Sequence, residues 1–179
     1  MPRPPPSRRA GFTLFELAMV LALVAALATL ATPSLGRLRA QAVLRREANA
    51  LLGALHHARS VAITQGLPVV LCQTAERARC LDSAAPASGW AVFVDAPGGS
   101  SGRLDAGDRL LESVELPTEL RLSGSRRALI YWPAARAGTT ATLVLCHARG
   151  AALAVIVSQT GRPRVSTTDA SGGALDCGA

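Results

Sequence analysis

Two arginines two residues apart, Arg162 and Arg164, are the side chains of this sequence best suited to gripping an anion. They belong to the segment Gly161-Arg162-Pro163-Arg164, shortly after the apolar run AVIVS. In an extended backbone, residues two apart project to one side about 7 Å from each other, which suits two successive phosphates on one nucleic-acid strand. Arginine fits that task because its planar fork donates two hydrogen bonds at once. Gly161 permits a turn and Pro163 excludes a central strand, so both guanidinium groups are expected on an exposed loop or sheet edge. No Phe, Tyr or Trp occurs between positions 133 and 179 to stack on a base, so backbone electrostatics would supply most of the affinity for a nucleic acid, without sequence readout. Arg126, Arg127, Arg136 and Arg149 would widen this basic surface only if the fold brought them to the same face.

The other reactive residue types suggest less. Cys72, Cys80, Cys146 and Cys177 form an even set that permits three disulfide pairings. Disulfides are favoured over zinc because the close C-x(2–4)-C pair of a zinc site is missing. Asp95, Asp105 and Asp108 surround a Gly-rich stretch and could offer oxygen ligands to calcium, but without EF-hand spacing an ordinary polar turn is expected. His56 and His57 are neighbours on a helical stretch and point apart, and His147 stands alone, so all three read as structural. No G-x-S-x-G, H-E-x-x-H or P-loop pattern occurs. No catalytic residue, metal or cofactor is therefore assigned, and an enzyme is not expected.

One acidic residue stands out by its surroundings. From Phe12 through Leu35 the only charge is Glu16, in an apolar run that would extend roughly 36 Å as a helix, enough to cross a bilayer. A carboxylate there costs on the order of 2.5 to 3.5 kcal/mol on insertion scales and calls for a partner. The polar, Pro-rich and basic leader MPRPPPSRRAG lies before that run, whereas an ordinary secretory signal has its apolar stretch before the cut. Arg8 and Arg9 should hold the leader in the cytoplasm and send the remainder outward; Arg37 and Arg39 weaken the asymmetry slightly. Cleavage after Gly11 would create an α-amine on Phe12, a counter-ion for Glu16 in the same or a neighbouring subunit.

Length and patterning set the frame for these groups. The 179 residues accommodate one domain plus an appendage, and all 19 basic residues are Arg. Loss of residues 1–11 leaves 16 arginines against 12 acidic residues, a net charge of +4 instead of +7, so local placement of arginine matters more than overall charge. Leu44, Ala48, Leu51, Leu52, Leu55, Ala58 and Ala62 recur at helical spacing, and Gly66 and Pro68 should end that helix near Gln65. The segments VVLCQ, GWAVFVD, RLLESVEL, ELRLSG, ALIYW, TLVLCH and AALAVIVS, separated by turn-forming residues, predict antiparallel strands packed on the helix.

With these residues in view, GFTLFEL resembles the class III signal of type IV pilins and pseudopilins, with Gly11 before the cut, Phe12 after it and Glu16 further on. The head is similar to the GspH/FimT branch through ALHHARSVAITQG, PVVLC, GWAVFVD, GRLDAGDRLL, TLVLC and VIVSQTGRPRV. The resemblance implies an α+β pilin-like fold, a long N-terminal hydrophobic helix packed on an antiparallel β-sheet head. It divides the chain into a leader (1–11), a transmembrane and assembly segment (12–35) and a periplasmic head (36–179). It implies cleavage between Gly11 and Phe12 by a prepilin peptidase, N-methylation of Phe12, and a role for Glu16 in assembly with other pilins or pseudopilins. Pro33 falls where many pilins have a kinking proline, although it could equally end the span. The pairs Cys72–Cys80 and Cys146–Cys177 are implied as disulfides. Gly161, Arg162 and Arg164 match the G-R-x-R motif of DNA-binding FimT members. The leading expectation is a minor type IV pilin that helps capture DNA for uptake; the alternative is a minor pseudopilin of a type II secretion system.

Overall fold

The computed structural model describes residues 11–76, 79–81, 86–98, 102–133 and 139–177, with the side chains of 28–34 and 76 outside the description. The leader before Gly11 and Arg136 therefore lie outside the described residues. The chain divides into two compact units, residues 1–39 and 40–179.

In the first unit, helix α1 (Leu14–Gln65) begins. Thr13 caps it: the Glu16 backbone N–H donates to Thr13 Oγ1 at 3.2 Å. Thr13-x-x-Glu16 is thus the opening of a capping box, and it places the carboxylate in the first turn, where the helix dipole favours a negative charge. The large apolar side chains from Phe12 to Leu27 are exposed. The helix does not stop at Pro33. The expected membrane segment 12–35 includes positions outside the side-chain description, and among the described residues no helix is long and apolar enough to cross a membrane.

Among the described residues the second unit contains the rest of α1 and nine strands. Leu44, Ala48, Leu51, Leu55, Ala58 and Ala62 form the buried stripe of the helix, and their alternating four- and three-residue steps keep them on one face. Leu52, expected in that stripe, is only half-buried against the core. Full burial of Leu51 or Leu55 contributes about 1.5 to 3 kcal/mol each. The helix ends where Gly66 takes a positive φ of 67° and its N–H caps the Ala62 carbonyl at 3.1 Å, a conformation that other residues adopt only with strain.

The strands are β1 (Val69–Glu76), β2 (Arg79–Cys80), β3 (Gly89–Val94), β4 (Arg109–Glu115), β5 (Leu120–Gly124), β6 (Ala128–Tyr131), β7 (Ala141–His147), β8 (Ala152–Val157) and β9 (Pro163–Ser166). The first sheet runs β2-β1-β3-β4, with β6 also paired to β1, and the second runs β5-β7-β8-β9; the pairings are antiparallel. All seven predicted strands are present, and β2 and β9 are additions too short or too polar to read as apolar runs. One core joins the helix stripe to both sheets through Trp90, Leu122, Leu129, Leu143, Leu145 and Val155. A smaller cluster of Val70, Cys72, Ala91 and Phe93 lies on the other face of the first sheet, with Leu104 packed against it. Because both clusters draw only on residues from position 40 onward, the second unit has its own hydrophobic core.

Candidate functional site

The G-R-P-R segment lies at the outermost strand of the second sheet. Val157 pairs with Pro163 and Ile156 with Arg164, so among the described residues β8 is the only neighbour of β9 in its sheet. Proline tolerates that position because an edge strand has one side without ladder bonds. Gly161, with a φ of 71°, closes the turn from β8, its N–H donating to the Ser158 carbonyl at 2.8 Å. Ser158 also receives the Arg162 N–H on its hydroxyl at 3.3 Å, and its own N–H donates to the Arg162 carbonyl. The backbone of Arg162 is thereby fixed while its side chain is free to face solvent. Gly161 and Pro163 are buried and Arg162 and Arg164 exposed, the alternation of an extended segment that presents both guanidinium groups on one side.

Paired residues in an antiparallel sheet share a face. Arg164 therefore shares a face with Ile156, and Ile156 with Thr142. This is the face opposite the helix, because Leu143, Leu145, Val155 and Val157 point into the core. Cys146 lies on the same opposite face, and its bond to Cys177 brings the C-terminal tail back over it. The turn of the tail is held by Asp169, whose Oδ1 accepts the Ser171 hydroxyl at 2.7 Å and the N–H groups of Ser171 and Gly173 at 2.8 and 2.7 Å. These hydrogen bonds, led by that of the Ser171 hydroxyl, hold the Asp169 carboxyl below its ordinary range.

Of the remaining candidates, Arg126 comes near this surface through the β5–β6 turn. Gln73 on β1 anchors that turn by donating its Nε2 to the Arg126 carbonyl at 2.7 Å and its N–H to the Arg127 carbonyl at 3.3 Å. The Arg126 side chain then donates through Nε to the Thr140 carbonyl at 3.2 Å. Arg149 sits in the β7–β8 turn at the other end of the sheet. A larger cleft, about 910 Å³, combines Arg79 and Arg121 with Glu115 in its lining and so offers an anion no surface of a single sign.

Asp108 accounts for the acidic loop: its Oδ1 accepts the Ala96 N–H at 2.8 Å and its Oδ2 the Asp105 N–H at 2.7 Å. The loop so held covers the smaller apolar cluster through Leu104. Among the described residues no group of His, Cys, Asp or Glu is arranged to hold a metal ion. His56 and His57 are exposed on α1, and His147 Nδ1 accepts the Arg149 N–H at 3.1 Å as part of a turn. The cysteines pair as Cys72–Cys80 and Cys146–Cys177. Three residues that sequence reasoning passed over have structural work: Thr13 caps α1, Glu47 is buried and held by Arg46 at 2.7 Å, and Gln73 fixes the Arg126 turn. Only the T-x-x-E spacing of the first could have been read directly.

Residues 47–161 match the family of the type II transport protein GspH. The chain belongs to the GspH family. Residues 6–32 of this GspH-family chain match the prokaryotic N-terminal methylation motif, which implies processing by a prepilin peptidase and assembly with other pilins. Its fold is that of the type IV minor pilin FimU from Pseudomonas aeruginosa: one crystal structure is 19% identical, with a TM-score of 0.50 over 69% of this chain and 87% of that one. A second crystal form is 20% identical, with a TM-score of 0.49 over 69% of this chain and 92% of that one. No curated protein matches the chain. Family and motif together make this GspH-family chain a minor pilin or pseudopilin.

Proposed function

We propose that this chain is a minor type IV pilin of the FimT/GspH type that joins a pilus or its tip complex and binds DNA non-specifically for uptake. In this reading a prepilin peptidase cuts between Gly11 and Phe12 and methylates the new N-terminus. The segment 12–35 then anchors the subunit in the inner membrane with its head in the periplasm. Glu16 pairs with a Phe12 amine, its own or a neighbour's, and thereby guides the subunit into the filament. The exposed apolar side chains from Phe12 to Leu27 support that role, because such a surface belongs against lipid or other helices.

The DNA reading rests on one observation, the burial of Gly161 and Pro163 beside the exposure of Arg162 and Arg164 on a sheet edge. The test is a salt titration of duplex binding by the soluble head, residues 36–179. Binding should weaken with salt at a slope near −0.9 per phosphate contact. Arg162→Ala with Arg164→Ala should flatten the slope by up to about two units while leaving the fold intact. A head that fails to bind at low salt, or a double variant that binds like the parent, would sink the uptake role. The second reading, a pseudopilin of a type II secretion system, is favoured by the family's own description and would then stand.

A further inference from the structure

The face of the second sheet that carries Arg164 has a recess of about 400 Å³, lined by Ser125, Arg126, Thr140, Thr142, Ile156 and Ala170, among others. Its floor follows from the strand register: Thr142 pairs with Ile156, and Ile156 with Arg164, so β7, β8 and β9 present these side chains in one row. Arg126 stands at the β7 end of the row, tied to it by the bond from Nε to the Thr140 carbonyl. Arg164 stands at the other end, on β9, two strand spacings or about 10 Å from Thr142 on β7, and Arg126 lies further out, on the turn that follows β5. A single duplex strand presents a phosphate about every 3.4 Å of helix axis, so its backbone can meet Arg126 in the recess and Arg164 beyond it on the same face.

The lining has the chemistry of a phosphodiester contact. Ser and Thr hydroxyls with arginine are common donors to phosphate oxygens, and among the described residues the lining includes no acidic side chain. The carboxylate next in sequence to the Ala170 wall, Asp169, is turned back into its own loop, on Ser171 and Gly173. The Arg126 backbone is held by buried Gln73 and its Nε by Thr140, so among the described residues the outer nitrogens of a pre-positioned guanidinium remain available to a ligand.

We propose that Arg126 is a third phosphate contact and that the recess it lines, on the sheet face that carries Arg164, seats the DNA backbone, so that the strand crosses this sheet face and is not held by the β9 edge alone. This rests on the DNA reading above. The distinguishing experiment compares four soluble heads, residues 36–179, on one duplex across about 50 to 200 mM salt: parent, Arg126→Gln, Arg149→Gln, and Arg162→Ala/Arg164→Ala. Arg126→Gln should lower the slope by about 0.9, so that affinity falls about 3.5-fold less than the parent's over that range. Arg149→Gln removes the same charge at the far end of the sheet and should leave the slope as in the parent. A parental slope in Arg126→Gln beside a reduced one in Arg162→Ala/Arg164→Ala overturns the recess while sparing the DNA reading. Equal losses in Arg126→Gln and Arg149→Gln would reduce the effect to net charge and also overturn it. A parent that does not bind removes both proposals. Unchanged thermal midpoints and thiol counts in every variant would assign the differences to binding.

Discussion

Replacing Cys146 and Cys177 together by alanine should destabilise the head through its unfolded state. The two residues are 31 apart in sequence, and a loop of that length loses enough freedom on closure to contribute about 3.7 kcal/mol at 25 °C by the chain-entropy relation. The Cys72–Cys80 loop, with a separation of 8, gives about 2.5 kcal/mol by the same relation. In a domain near 140 residues each kcal/mol moves the thermal midpoint by roughly 2 to 4 °C, so the expected fall is about 7 to 15 °C. Urea unfolding is the sharper assay. Freed of its cross-link, the unfolded chain expands and exposes more surface, so the m-value should rise as the midpoint drops. The folded state should change little outside the tail, because Asp169 holds its turn with its own hydrogen bonds. A loss below about 1 kcal/mol with an unchanged m-value would refute the argument, since the link would then not be restraining the unfolded chain.

Gly11→Val should leave the leader attached, because the cut needs a very small residue there; N-terminal mass analysis should find a parent chain that begins at Phe12. Glu16→Ala should insert at least as readily yet be depleted from sheared filaments, and its normal recovery would end the assembly role. Gly89→Ala should cost about 3 kcal/mol or more in urea unfolding, because the new methyl would overlap the Val114 carbonyl oxygen of β4 and sit 3.0 Å from Thr74 Oγ1; a cost below 1 kcal/mol would show that β4 can retreat. Tyr131, the sole tyrosine, is pushed up to about 12 from an ordinary 10.0 by burial, against the opposing charge of Arg59. Its neutral form is thus favoured by folding, so stability should be level in this respect below pH 10 and fall between about pH 10 and 12. A phenolate absorbance titration of the folded head centred near 10 would contradict this.

The sequence alone determined what depends on neighbours along the chain. The apolar run with its lone Glu16, the stripe from Leu44 to Ala62, the stop at Gly66 and seven strands are each written in local periodicity or in a residue with one conformational habit. The positions of Arg162 and Arg164 were legible for the same reason, since glycine and proline at alternate positions leave an edge or a loop as the only places for them. Tertiary structure decided the rest, because strand register depends on contacts between residues far apart in sequence. Strand β2 and the edge strand β9 are held by pairing and not by apolar patterning. The acidic loop gained a use only when Leu104 packed on the second apolar cluster. Among the arginines, Arg126 was indistinguishable from Arg127 or Arg149 by composition. It was singled out by Gln73, fifty-three residues earlier, which pins its turn, and by the Thr142–Ile156–Arg164 row, which exists only once three strands lie side by side.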